Sequence, residues 1–169
     1  AEVTVGTPEP GDLTTAPANN GSGGIFLDLT PEAPLRVHSF DTYFGGTVGT
    51  VAIVEVWTRQ GSYVGFDGSS EGWTHTQTVE VTRMGTAVLA TIDLDDPLTL
   101  PADETTGVYL QVVSDGIGGG IRYTGTGGSP PQTTWSNDDL TLFSDVARTG
   151  TEPFGGTRFT PRTFAGTVN

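Results

Sequence analysis

The chain has 169 residues, a formal net charge of -13, seven Arg as its only bases besides two His, and no Cys. This length suits one domain, and the absence of Cys excludes a disulfide framework, a thiolate zinc site and a Cys nucleophile. Nucleic-acid binders rely on a basic stripe, and none is visible in this sequence. No apolar run approaches the ~20 residues that span a bilayer.

The N-terminal stretch AEVTVGTPEPGDLTTAPANNGSGG holds one short strand pattern and then becomes rich in Pro, Gly and Asn. We therefore predict an N-terminal strand and flexible segment over residues 1–23, followed by a single domain over residues 24–169. The chain starts at Ala1 without Met or a hydrophobic leader. That start is typical of a mature product after signal-peptide removal, and we expect an extracellular or cell-surface location.

Along the rest of the chain, short runs of Val, Ile, Thr and aromatic residues alternate with Gly, Pro, Asp and Ser, and no long stretch has a helical period. The runs predict strands over residues 24–29, 35–44, 51–56, 73–82, 87–94, 98–100, 107–114, 120–125, 140–143 and 162–168. Nine to ten strands predict an all-β fold, an antiparallel two-sheet β-sandwich that is jelly-roll-like and has no substantial helix.

The segment TRQGSYVGFDGSSEGWTHTQ, residues 58–77, joins two of these strands. Its connection of about fourteen residues is longer than a tight hairpin loop, so we predict a short strand or flap. In this interpretation its aromatic residues cover the open end of the core and Trp73 packs beneath them. The alternative is a sugar-binding surface, whose candidate aromatic residues are Tyr63, Phe66, Trp73, Tyr123 and Trp135.

Two acidic segments are candidate calcium sites, because hard cations take carboxylate and loop carbonyl oxygens between strands. IDLDDP contributes Asp93, Asp95 and Asp96 at a predicted strand end, and SNDD contributes Asn137, Asp138 and Asp139. The other interpretation is that these residues end strands and solvate turns.

The residues with catalytic chemistry form no recognisable motif. Alternation places His75 on one face with Trp73, Gln77 and Val79, while His38 lies in another strand. We expect both His to be structural, the Arg residues to pair with carboxylates, and the protein not to be an enzyme.

Several phrases occur together: NNGSGGIFLDLT, GSYVGF followed by GW, LTLPADETTGVYL, IRYTGTG, SNDDLTL and FGGTRFTPRTFAGTV. Their order and spacing over residues 19–169 resemble a β-sandwich module of secreted and surface-anchored bacterial proteins. That module typically shows NG-G-FD, GS-Y-G and W, LTIPAG-T-G-Y, LRYTNG and F-PR-x-x-G steps. Asp103 stands where its pattern usually has Gly. The resemblance implies a jelly-roll-like sandwich and export, and it supplies no catalytic residues.

These observations predict a non-catalytic structural or adhesive protein, such as a subunit of an extracellular filament, layer or matrix. Self-association would use the N-terminal strand, formed by Glu2, Val3, Thr4 and Val5, unless that strand pairs within its own domain. A carbohydrate-binding module is the alternative, since jelly rolls also serve as lectins. A virion decoration or fibre protein is a third.

Overall fold

A computed structural model describes residues 11–21, 23–114, 119–127 and 131–169. These residues form strands and no helix. In chain order the strands are β1 (Leu13–Thr14), β2 (Gly24–Pro31), β3 (Leu35–Thr42), β4 (Val51–Gln60), β5 (Thr74–Thr82), β6 (Ala90–Leu100), β7 (Thr106–Val112), β8 (Tyr123–Thr124), β9 (Thr134–Ser136), β10 (Leu140–Phe143), β11 (Ala147–Arg148), β12 (Arg158–Phe159), β13 (Thr163–Phe164) and β14 (Gly166–Val168).

Eight of these strands build two antiparallel sheets, in the orders β1-β14-β3-β6 and β2-β7-β4-β5. Counted along the chain, these eight strands pair from the outside inward: β1 with β14, β2 with β7, β3 with β6, and β4 with β5. A long hairpin of four strand pairs, with successive pairs placed in alternate sheets, is a jelly roll. The predicted all-β, two-sheet, jelly-roll-like sandwich is therefore confirmed.

The strands β8 to β13 form an insertion between β7 and β14. Two of them, β10 and β11, pair with successive parts of β2, and β9 and β12 extend the same large sheet to eight strands. The remaining two, β8 and β13, form a separate two-stranded sheet.

The main core lies between the two sheets, and alternation along each strand decides which side chains enter it. Its largest fully buried apolar side chains include Ile25, Leu27, Leu29, Phe40, Ile92 and Leu100. Each of these residues alternates along its strand with neighbours that face away from this core.

The predicted break between two strands near residue 95 is wrong, because β6 runs through it. Residues 87–94 and 98–100 were predicted as two strands, but the structure has one continuous strand. Its pairing with β3 shifts register between Val37 and Ser39, and Asp96, which plain alternation would turn inward with Leu94 and Leu98, is exposed. The strand begins at Ala90, so its predicted start at residue 87 is too early, and Val88 lies before it and is exposed.

The predicted boundary between residues 23 and 24 is placed too late in the chain. Within the predicted N-terminal segment, Leu13 and Thr14 pair with Val168 and Thr167 of β14. Residues 11–21 therefore belong to the sandwich. The predicted strand over residues 2–5 lies outside the described residues.

Candidate functional site

The outer face of the large sheet carries a second cluster of aromatic residues. Phe26, Tyr109 and Trp57 lie side by side on β2, β7 and β4, and each alternates with a residue of the main core. The Phe26 and Tyr109 rings stack with centroids 3.9 Å apart. Both faces of the sheet's centre are therefore apolar, and the outer face needs a cover of its own.

The connection between β4 and β5, residues 61–73, supplies part of that cover and is called here the flap. Tyr63 and Trp73 of the flap are buried in the aromatic cluster. The flap crosses β7 at Gly107, whose N–H donates to the Gly61 carbonyl at 2.9 Å. It consists of turns, not a strand, and it covers the outer face of a sheet instead of an open end of the main core. The predicted place of this segment was therefore wrong, although its covering role is confirmed.

A buried carboxylate fixes the start of the flap. Asp28 of β2 accepts hydrogen bonds from Ser62 Oγ at 2.5 Å and from the Tyr63 N–H at 2.9 Å. Burial raises the pKa of Asp28 above its ordinary value, and the two hydrogen bonds oppose that shift.

An ionic cluster ties the flap to the loop of residues 149–157. Arg158 Nε lies 2.5 Å from Asp67 Oδ2, and Arg148 Nη2 lies 3.9 Å from the same oxygen. Arg148 Nε also donates to the Asp67 carbonyl at 2.7 Å. Arg158 and Arg148 thus both pair with a carboxylate, as predicted for the Arg residues.

Between the flap and this loop lies an open groove of about 440 Å³. Glu55 and Trp57 of β4 form its floor, residues 68–70 of the flap form one wall, and residues 152–155 form the other. The Trp57 Nε1 donates a hydrogen bond to Glu55 Oε2 at 2.9 Å. The centroid of the Trp57 ring lies 5.0 Å from that of His75 and 5.2 Å from that of Phe154. This volume is within the range of about 300–1,000 Å³ typical of small-ligand sites.

The five predicted ligand-binding aromatic residues do not form one surface. Tyr63, Trp73 and Tyr123 are buried, and Trp135 is partly buried against the main core. Only Phe66 is among the exposed residues, and the Arg59 guanidinium covers its ring at 3.4 Å. A flat sugar-stacking platform made of these five residues is not formed.

The predicted calcium residues of IDLDDP lie within β6, not at a strand end. Asp93, Asp95 and Asp96 are exposed along this strand, and the Asp96 main chain bonds to the Gln77 side chain. Among the residues that the structure describes, no three His, Asp or Glu side chains gather in a group that could hold a metal.

The second predicted calcium segment forms a turn before β10. Asn137 Oδ1 accepts hydrogen bonds from the N–H groups of Asp139 and Leu140 at 2.9 and 2.8 Å. Asp138 and Asp139 are exposed beside it. Turn formation accounts for Asn137 here, and calcium binding stays a prediction.

The predicted face of His75 is wrong with respect to Gln77 and Val79, though not Trp73, because the ladder between β4 and β5 contains a bulge. Its register shifts between Val56 and Trp57, so His75 pairs with Trp57 while Gln77 pairs with Val56. His75 therefore lies on the outer face next to Trp57. His38 is exposed on β3.

A third feature is an apolar surface where the strands β4 and β5 meet at one end. It consists of Val48, Val51, Met84, Val88 and Leu89, five of the eight large apolar residues that are exposed in the described chain, and is called here the end patch. The two loops are joined by a Gly49 N–H bond to the Arg83 carbonyl and an Arg83 N–H bond to the Thr50 carbonyl, both 2.8 Å. No Asp or Glu occurs in residues 45–54 or 81–92.

Four residues of the groove were not predicted from the sequence: Glu55, Trp57, Glu152 and Phe154. The shared face of Glu55 and Trp57 was readable from alternation along a strand. The position of residues 152–155 beside that face could not be read from the sequence, because it depends on an ionic cluster between distant segments.

No protein-family model matches the chain, and no curated protein matches it significantly. Among the described residues, no helix is long and apolar enough to cross a membrane. The resemblance to secreted bacterial sandwich modules therefore stays a prediction.

Proposed function

We propose that the protein is a non-catalytic structural or adhesive module of the cell surface or extracellular matrix, and that copies associate through the end patch. The observation that carries this proposal is the concentration of exposed apolar residues in two adjacent loops that contain no acidic residue. Large exposed apolar patches on soluble proteins commonly mark contacts with other molecules.

Charge favours a second copy as the occupant of this surface. With a net charge of -13, two copies repel one another wherever acidic surfaces meet. Contact between two end patches brings apolar, acid-free loops together and keeps the acidic surfaces apart. Val88 is 50% exposed and Val48 is 64% exposed, so burying them against a partner removes apolar surface from water.

Sedimentation velocity over a range of protein and NaCl concentrations tests the proposal. We expect reversible association that strengthens with salt, because salt screens the repulsion between acidic surfaces. The double variant Met84→Glu/Val88→Glu should remain monomeric. Val64→Glu is the matched control, because Val64 is 58% exposed in the flap, away from the end patch.

A monomeric wild type at all concentrations and salt levels would overturn the proposed contact. Equal weakening by the flap variant and by the end-patch variant would also overturn it, since added charge alone would then explain the loss.

Assembly into larger structures is tested by negative-stain electron microscopy of the full chain with calcium and with chelator. Regular filaments or layers would support the structural role, and their loss in chelator would assign calcium a part in assembly. Dispersed particles in both conditions would contradict a filament or layer subunit.

A further inference from the structure

We propose that the groove between the flap and the loop of residues 149–157 binds a saccharide that carries free amino groups, an activity independent of association through the end patch. The floor of the groove has one aromatic ring, and its walls combine main-chain groups of Gly68 and Gly155 with the hydroxyls of Ser69 and Ser70. An aromatic surface beside hydroxyl and main-chain groups suits a sugar ring, which has apolar C–H faces and a rim of hydroxyls.

The Trp57 ring is held in one orientation before any ligand arrives. Its Nε1 is hydrogen-bonded to Glu55. The His75 and Phe154 rings flank it, with their planes at 31° and 86° to the plane of the Trp57 ring. A ring that is already ordered loses little freedom on binding, which favours affinity.

Charge selects the kind of saccharide. Among the described residues, Glu55 and Glu152 are the charged residues that line the groove, and no basic residue lines it. The two guanidinium groups of the ionic cluster, Arg148 and Arg158, pair with Asp67, and Arg148 Nη1 also donates to the Gly155 carbonyl at the end of one wall. A protonated amine in the groove would donate charge-assisted hydrogen bonds to the two carboxylates and make a cation–π contact with Trp57.

The far wall is also preformed. Phe154 has a φ of 61°, a left-handed conformation that is unusual for a bulky residue, and its ring is buried in the aromatic cluster. Its N–H donates to the Tyr109 hydroxyl at 3.3 Å. Arg148 Nη1 lies 3.3 Å from the carbonyl oxygens of both Gly155 and Gly156, which holds the end of this wall.

Isothermal titration calorimetry of the full chain with two oligosaccharides of equal length tests the inference. One is a glucosamine oligomer with free amines, and the other is its fully N-acetylated counterpart, at a pH where the amines are protonated. We expect binding of the free-amine oligomer at least about tenfold tighter than that of the acetylated one. Glu152→Gln should weaken it about fivefold or more, and Trp57→Phe should keep the fold while reducing affinity.

A polycation could also adhere to any acidic protein, so the control is Glu80→Gln. Glu80 is exposed on β5, pairs with Ile53 and lies outside the groove. Equal losses in the Glu152 and Glu80 variants would mean general charge attraction and would overturn the site. Equal affinity for both oligomers would overturn the selection for amines, and no binding of either would overturn the whole inference. None of these results bears on sedimentation, so the two proposals fail separately.

Discussion

The Tyr63 hydroxyl donates a hydrogen bond to the Asp145 carboxylate at 2.5 Å and accepts one from the Asp145 N–H at 2.8 Å. Tyr63 belongs to the flap, and Asp145 lies between β10 and β11, where the chain passes along β2. Burial raises the pKa of Tyr63, so its hydroxyl keeps the proton that it donates. One fully buried hydroxyl thus fastens the flap to the outer face of the sheet.

Replacing Tyr63 by Phe should therefore destabilise the protein. The ring still packs, but the Asp145 N–H loses its partner, and leaving a partly buried donor unpaired costs about 1–3 kcal/mol. Urea unfolding followed by Trp fluorescence measures the loss. Tyr43→Phe is the matched control, because Tyr43 is only half-buried and lies outside the aromatic cluster. Equal stability of the Tyr63 variant and the wild type would contradict this role.

The fold class was predictable because alternation along strands such as β4 and β6 reflects burial on one side. The sequence could not show that β2 and β7 are buried on both faces, since the cover for Phe26 and Tyr109 comes from distant loops. Bulges were also invisible, and the one next to Trp57 moved His75 to the other face.

Local backbone demands were partly readable. Asp103 stands where the resembled module usually has Gly, and it has a φ of 57°. Asp tolerates the left-handed region better than most side chains, which explains how it substitutes there. In contrast, the left-handed Phe154 gave no signal in the sequence, and neither did the groove wall that it supports.

Gly107→Ala should destabilise the protein, because the flap passes directly over this position. An added Cβ would lie 2.8 Å from Arg59 Cγ and 3.1 Å from the Gly61 carbonyl oxygen. Overpacking of this kind costs about 1–3 kcal/mol, measurable as a lower urea midpoint. Gly127→Ala is the control, since nothing lies within 4 Å of its added Cβ. A midpoint for Gly107→Ala as high as that of Gly127→Ala would show that the flap can shift without cost.

Asp67→Asn should loosen the flap more than it destabilises the whole domain. The change removes the negative charge between Arg148 and Arg158. Because the Arg158 side chain is 45% exposed, solvent screens its ion pair with Asp67. We therefore expect the free energy of unfolding of the whole domain to fall by only about 1 kcal/mol. Hydrogen exchange should show faster exchange over residues 61–73. The control is Glu71→Gln, an exposed residue of the same flap. Unchanged exchange in the Asp67 variant would mean that the aromatic cluster alone holds the flap.

Asp28 should make folding less favourable as the pH rises. Burial raises its folded-state pKa above the ordinary 3.8, so between these two pKa values the folded chain binds more protons than the unfolded one. The free energy of unfolding therefore falls with pH across that window and becomes level above it. Asp28→Asn lacks this titration, and subtracting its unfolding free energy from that of the wild type cancels the other carboxylates. We expect the difference, measured by urea unfolding from below pH 3.8 to neutrality, to fall with increasing pH. A difference that rises with pH would mean that the hydrogen bonds from Ser62 and Tyr63 outweigh burial and keep the carboxylate ionised.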